Sequence, residues 1–210
     1  MLPLLGGFVA GFLHVLSGPD HLSAIAPLSA HNPEHSSRAG LRWGIGHTTG
    51  VCLLGLLVLL FKNAIPLDKL SGTGEKLVGL VLISIGIWSI RSAMYPNSSG
   101  SHTHKQTITH THTHPHTGIA SFYIGILHGI AGTSHIFGIV PALAFKSTFE
   151  SVVYLVSFGV GTVLAMTVFS GLLGYLTAYF SPRYPGLQKQ ILTAAGGIAI
   201  AVGVAWMFIG

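Results

Sequence analysis

Histidine side chains occur in matched pairs at two places in this chain, and the members of each pair are seven positions apart. The first pair is His14 and His21, and the second pair, about 114 positions later, is His128 and His135. Both pairs lie in apolar sequence, with two glycines and a proline in the same register. Imidazoles are rare in hydrocarbon, so the repetition predicts a shared metal site formed by two related halves of the chain.

A carboxylate accompanies the first histidine pair. Asp20 is the one residue among the five acidic residues that is placed deep in an apolar segment. An ionised carboxylate there is costly, so it should be protonated, hydrogen-bonded or facing a cation. No Lys or Arg in the apolar segments is well placed to pair with it. The sequence therefore predicts a metal ion shared by Asp20, His14 and His21.

Other histidines have more than one interpretation. His47, in Gly46-His47-Thr48-Thr49, is either a third imidazole ligand or path residue, with Thr48 or Thr49 as its hydrogen-bond partner, or a histidine bonded across a helix interface. In the second pair, Ser134 takes the place of Asp20. His128 and His135 could complete one site between the halves, form a second metal station, or bond to neighbouring helices.

The segment Gly18-Pro19 should break the first helix. In an unbroken helix His14 and His21 would lie roughly 10.5 Å apart along the axis, which is too far for one ion to bind both well. Proline removes a backbone donor and clashes with the preceding turn, and Ser17-x-x-Asp20 has the form of a helix start. A break would bring His14 towards Asp20 and His21. The simpler alternative is a kinked helix in which Asp20 caps its own second part.

The segment 97–117 is of low complexity and contains six histidines between positions 102 and 116. This composition predicts a disordered loop. Its imidazoles would bind divalent metals loosely and could load or buffer the ion. The alternative is a plain polar tether.

The composition indicates a protein of the lipid bilayer. Half of the residues are hydrophobic and 7% are charged, and the mean hydropathy is +0.66, which leaves too little polar surface for a soluble domain of this length. The single cysteine, Cys52, excludes an intramolecular disulfide and a thiolate zinc cluster. Lys and Arg are not clustered densely enough to predict nucleic-acid binding. No cleavable signal peptide is evident, so the first apolar stretch should be a retained span.

Six windows are long enough to cross the hydrocarbon as helix, at about 3–30, 40–61, 75–95, 118–145, 150–180 and 187–209. The predicted fold is all-α, a polytopic membrane protein of six transmembrane helices. Residues 1–96 and 118–210 would form two three-helix repeats, and an odd number of spans makes them inverted. Glycine-rich helices that resemble one another only by composition are the alternative. The Lys and Arg distribution favours a cytoplasmic 97–117 loop.

Two elements of the first half, His14-x5-Asp20-His21 and Gly46-His47-Thr48-Thr49, resemble the nickel/cobalt transporter family. The second pair, with Val140-Pro141-Ala142-Leu143, is similar to the short urease-accessory-type nickel permeases of that superfamily. The spacing from His14 to Asp20 is one residue longer than is usual in the family. The resemblance implies metal-binding roles for His14, Asp20, His21 and His47, and nickel or cobalt as the transported ion.

The expected function is transport of a divalent transition-metal ion, without enzymatic activity and without a resident cofactor. Imidazole with one carboxylate suits nickel, cobalt, zinc or copper(II), and not magnesium or calcium. The expected partners are the ion, the bilayer, and a metallochaperone or energising subunit, because no nucleotide-binding motif is present. The expected location is the cytoplasmic membrane of a prokaryote. An intramembrane zinc-dependent hydrolase and a membrane-anchored metal sensor are the alternatives.

Overall fold

The computed structural model describes residues 1–60, 67–95, 116–131 and 134–209; within these ranges the side chains of 58–60, 67–71, 116–118, 134–137, 139 and 209 are not described. Every regular element in these ranges is a helix, so the predicted all-α class is confirmed. The helices are α1 (Leu2–Ser17), α2 (Pro19–His31), α3 (Ser36–Leu60), α4 (Leu67–Met94), α5 (His116–Ala131), α6 (Ser134–Leu143), α7 (Thr148–Phe180) and α8 (Leu187–Ile209), with a 3-10 turn at Pro33–His35.

The predicted break in the first span is present. Gly18 separates α1 from α2 in an extended conformation, with φ −86° and ψ 102°, and the two helices are bent by 71°. Pro19 causes this, because a residue that precedes proline disfavours the helical conformation, whereas proline itself fits the first position of a new helix.

The alternative interpretation, a kinked helix in which Asp20 caps its own second part, is wrong. Ser17 still belongs to α1, and its hydroxyl donates to the carbonyl oxygen of His14 at 3.2 Å. No side chain caps the start of α2, where the N-cap residue is Gly18. Asp20 therefore does not act as the cap of its own helix. Its carboxylate is used by a neighbouring imidazole instead.

The second half also has two short helices where the sequence predicts one window. The window 118–145 is divided into α5 and α6, and residues 132 and 133 between them lie outside the described residues. Helix α5 begins at His116, inside the segment 97–117 that was expected to be a loop. The prediction of disorder for residues 97–115 concerns residues outside the described ranges.

Three helical segments are long and apolar enough to cross a membrane, namely Gly72–Met94, Thr148–Phe180 and Leu187–Phe208. The bent pair of α1 and α2 makes a fourth if it is one span. A shorter apolar helix covers Ile119–Ala131. The described residues therefore give a helical membrane protein with three to four candidate spans, compared with the six that the sequence predicts.

Close helix crossings join the two halves of the chain. A Cβ atom on Gly11 of α1 would overlap the carbonyl oxygen of Phe158 on α7, and a Cβ atom on Gly125 of α5 would overlap the carbonyl oxygen of Trp43 on α3. Each contact becomes the other when the two halves are exchanged. In the same way, the contact of Gly161 with the carbonyl oxygen of Phe8 corresponds to the contact of Gly46 with that of Phe122. The contact of Gly79 with the carbonyl oxygen of Gly203 corresponds to the contact of Gly86 with that of Gly196. These glycines allow the backbones to approach closely, as in other membrane helices.

The best-buried part of the molecule lies around the broken span. Val15, Ile25, Trp43, Ala165 and Met166 form one apolar cluster, and each is at most 1% exposed. Four helices, α1, α2, α3 and α7, contribute to it. This cluster lies against polar side chains that the sequence singled out, because Trp43 contacts the rings of His21 and His47.

Candidate metal centre

Three imidazoles meet beside the break in the first span. His14 lies in the last turn of α1, His21 in the first turn of α2, and His47 in α3. One ring nitrogen of each lies within 4.8 Å of the others, and we call these three residues the histidine set. They are 4%, 1% and 0% exposed. The rings of His14 and His21 are 4.6 Å apart between centroids, which is possible only because the helix is broken between them.

A carboxylate orients the central imidazole of this set. Nδ1 of His21 lies 2.8 Å from Oδ1 of Asp20. Because a carboxylate only accepts hydrogen bonds, Nδ1 carries the proton and Nε2 of His21 presents its lone pair. That Nε2 lies 3.2 Å from Nε2 of His47. The arrangement of carboxylate, imidazole and open lone pair is the one that protein metal sites use to fix a histidine ligand.

The separation of the two Nε2 atoms suits a shared ion. Two nitrogen ligands at about 2.0–2.1 Å from a metal are roughly 3.4 Å apart at a tetrahedral angle and roughly 2.9 Å apart at a right angle. The observed 3.2 Å lies between these values. Nε2 of His47 donates to Nε2 of His21, and a metal ion bound by both nitrogens would replace this proton. The donor set fits a borderline divalent transition metal.

Asp20 lies behind the histidine set. It is 3% exposed, its described bond is to His21, and the group of ligand atoms within 4.8 Å contains the three histidines alone among the described residues. Its role as a direct ligand stays a prediction. Gly18 makes the pairing possible, because a Cβ atom there would lie 2.6 Å from Nδ1 of His21 and 3.0 Å from Oδ1 of Asp20.

The histidines of the second half are placed differently. His128 is fully buried, and its ring centroid is 6.1 Å from that of His21. Nδ1 of His128 donates to the carbonyl oxygen of Ile124 at 3.1 Å, so Nε2 carries the lone pair, and it has no hydrogen-bond partner within the described part of the chain. His128 therefore lies next to the histidine set but not in it. The side chain of His135 is outside the described residues.

The two threonines that follow His47 bond to backbone oxygens. The hydroxyl of Thr48 donates to the carbonyl oxygen of Gly159 at 3.3 Å, and that of Thr49 donates to the carbonyl oxygen of Ile45 at 2.8 Å. Thr48 thus joins α3 to α7. The hydroxyl protons of both residues are used in this way, although the sequence predicted one of them as a partner of His47.

Two aromatic residues beside the site were not predicted. Trp43 stacks on His47, with centroids 5.1 Å apart and planes at 15°, and Phe158 lies 5.6 Å from His14. Aromatic residues in apolar helices are ordinary core residues by type, so neither stands out alone. The alignment of the two halves could have found them. Gly44 aligns with Gly159, and the residue directly before each glycine is aromatic, Trp43 in one half and Phe158 in the other.

Comparison with known proteins shows the family of the chain. Residues 7–205 match the family described as the cytochrome c biogenesis protein transmembrane region. No solved structure matches the chain. The chain is 33% identical to the urease accessory protein UreH of Bacillus sp. strain TB-90, over 96% of this chain and 89% of that protein.

More distant and longer relatives are also found. A Methanocaldococcus jannaschii protein named as a nickel/cobalt efflux system is 22% identical over 97% of this chain and 91% of its own length. The Arabidopsis thaliana chloroplast protein FOR GROWTH AND FERTILITY 1 is 33% identical over 94% of this chain. The chain spans 56% of that plant protein, about half of its length. With these matches, the chain belongs to the family of the cytochrome c biogenesis protein transmembrane region, and UreH is one of its relatives.

Proposed function

We propose that this protein carries a divalent nickel or cobalt ion across a membrane, and that the histidine set binds the ion on its way. The observation that carries the proposal is the buried group of three imidazoles with ligand atoms within 4.8 Å of one another. Burying three imidazoles in an apolar helical protein is costly, so such residues usually mark a binding site or an ion path. A transition-metal ion satisfies all three at once.

The choice of ion rests on the donor atoms and on the relatives. Imidazole nitrogens suit nickel, cobalt, zinc and copper(II), and affinity alone does not select among them. The names of two relatives refer to urease accessory function and to nickel/cobalt efflux. Both names describe accessory or transport proteins and not enzymes, so a hydrolytic zinc site has no support from them. We therefore favour nickel or cobalt over zinc and copper.

We propose an architecture of six spans in two inverted repeats, 1–96 and 118–210, joined by the 97–117 loop. The exchanged glycine contacts between α1 and α7, α3 and α5, and α4 and α8 support it. Many transporters bind their substrate at broken helices between such repeats.

In the proposed mechanism, the residues of the first half bind the ion and the second half receives it. His14, His21 and His47 replace water on the ion, while Asp20 fixes the ring of His21 and supplies a negative charge close to the cation. When the repeats rock against each other, Nε2 of His128 becomes the next ligand. Its hydrogen bond to Ile124 already holds the tautomer that can bind a metal. His135 is proposed as a further ligand of this station.

The cellular setting is also part of the proposal. The apolar helices place the chain in a membrane, which we propose to be the cytoplasmic membrane of a prokaryote, although two relatives are named as chloroplast proteins. The bilayer and the metal ion are the direct partners. A metallochaperone or an energising subunit would supply or drive the ion.

Uptake of radioactive nickel by the purified protein in sealed lipid vesicles tests the proposal. We expect uptake with the native protein and none with His21→Ala. The matched control is His31→Ala, which removes another histidine of α2 whose ring contacts Trp88, 4.8 Å away, outside the histidine set. Vesicles that take up no nickel or cobalt, or that take up either ion equally with His21→Ala, contradict the proposal. An enzyme or a sensor would give no uptake.

A further inference from the structure

The indole ring of Trp43 lies among three imidazoles. Its centroid is 5.3 Å from that of His21, 5.1 Å from that of His47 and 5.4 Å from that of His128. The side chain is fully buried. Trp43 therefore lies beside both the histidine set and His128, the first described imidazole of the second half.

The indole N–H of Trp43 is a buried donor for which the described residues offer no acceptor. An indole N–H can donate and cannot accept, and a buried tryptophan usually bonds through it. A buried donor without an acceptor destabilises a protein. A hydrogen-bond acceptor that enters the site would satisfy this N–H.

The equivalent position in the second half shows that packing alone does not require this N–H. Phe158 occupies that position, since exchanging the halves converts the contact of Gly125 with Trp43 into the contact of Gly11 with Phe158. The Phe158 ring lies 5.6 Å from His14, and the Trp43 ring lies 5.4 Å from His128. A plain aromatic ring thus covers one histidine, and a ring with a donor covers the other.

The chemistry of the site limits what the acceptor can be. A cation accepts no hydrogen bond, and an imidazole nitrogen bound to a metal has no lone pair left to accept one. Three imidazoles leave at least one position open on a divalent transition-metal ion, because such ions take four or more ligands. Water is the ordinary occupant of an open position, and its oxygen accepts hydrogen bonds.

We propose that the ion is carried with an oxygen ligand, water or hydroxide, and that the indole N–H of Trp43 donates to this oxygen. The transported species is then a partly hydrated divalent ion and not a fully dehydrated one. This inference rests on the proposed function of the histidine set. It makes Trp43 a positioning residue that acts on the ion through its oxygen ligand.

Nuclear magnetic resonance of the nitrogen-15-labelled indole groups tests the inference directly. The chain has three tryptophans, Trp43, Trp88 and Trp206, so three indole signals are expected from the full chain. Zinc is a suitable diamagnetic probe, and the loop histidines at 102–116 are replaced by serine to remove other zinc sites. Zinc should shift the Trp43 proton signal downfield and leave the other two signals in place. Trp88→Phe and Trp206→Phe assign the signals by elimination even if Trp43→Phe does not fold.

Cobalt binding provides the second measurement. Trp43→Phe keeps an aromatic ring but removes the indole donor and part of the ring volume. We expect cobalt affinity, followed by the visible absorption of the bound ion, to fall about tenfold. The matched control is Trp88→Phe, which removes the same donor from a tryptophan that contacts His31, and it should leave the affinity unchanged.

The two proposals fail in different ways. If zinc and cobalt bind to the native protein while the Trp43 signal stays in place and Trp43→Phe binds as tightly as Trp88→Phe, the inference about the oxygen ligand is wrong and the metal site stands. If neither ion binds to the native histidine set, the proposed function is wrong, and the inference is wrong with it.

Discussion

The two halves of this molecule have similar packing but different chemistry. In both, a glycine of the first helix lies on the backbone of the long second helix of the other half, and a buried histidine lies beside an aromatic ring. Only the first half adds a carboxylate and a third imidazole, Asp20 and His47, where the second half has Ser134 and Thr162. The comparison teaches that packing is shared by the halves, whereas the proposed ion ligands are concentrated in one of them.

The strongest test of this difference is to remove an imidazole from each half. His47→Ala takes away a ligand atom that lies 3.2 Å from its neighbour in the set, and it should abolish nickel binding to detergent-solubilised protein. His128→Ala removes a histidine outside the set, and it should leave equilibrium binding nearly intact while slowing transport in vesicles. Equal loss of binding in both variants would show that the two halves share one site.

The next largest effect concerns the carboxylate. Asp20→Asn keeps the size of the side chain but removes the charge that orients His21 through the 2.8 Å contact. We expect metal affinity to fall by about 10- to 100-fold, as is usual when a partner behind a ligand is lost. Calorimetric titration with nickel measures this. Binding that is lost altogether would mean that Asp20 is itself a ligand, and unchanged binding would mean that it has neither role.

The shared packing can be tested by matched glycine substitutions. Gly11→Val and Gly125→Val both place side-chain atoms on a backbone carbonyl of the other half, so each should destabilise the protein by about 1–3 kcal/mol. Gly197→Ala is the control, since a Cβ atom there meets nothing within 4 Å. Thermal unfolding in detergent gives the comparison. Destabilisation in one half alone would show that the halves do not pack equivalently.

The smallest effect is expected from the loop. Replacing the six histidines between positions 102 and 116 with serine should reduce uptake at low metal concentration and leave the rate at saturating metal within about twofold, because a tethered tract raises local ion supply without forming the path. Uptake in vesicles as a function of nickel concentration measures both regimes. A loss at every concentration would make these residues part of the path.

Much of the helical organisation could be predicted from the sequence. Apolar length gave the helices, and Gly18-Pro19 gave the break, because proline acts on its own backbone and on the residue before it. The meeting of His14, His21 and His47 was also predictable in outline, since few other polar side chains lie in the apolar segments.

The details of the site depended on contacts between distant parts of the chain. The sequence could not show that the carboxylate of Asp20 bonds to His21 and not to the start of its helix, because both choices satisfy the same oxygen atoms. It could not single out Trp43 either, since an indole in an apolar helix has no local mark of function. Its position is known only from the structure, in which the ring of His128 on α5 contacts the ring of Trp43.

The exchanged glycine contacts have a consequence for the energy of conformational change. Opening the crossing of α1 with α7 separates the same kind of glycine-to-carbonyl contact as opening the crossing of α5 with α3. Two states that differ by which crossing is open would therefore be nearly degenerate in packing energy. The balance between them would be decided by the few non-equivalent residues, such as Asp20 and His47, and so by whether a cation is bound to them.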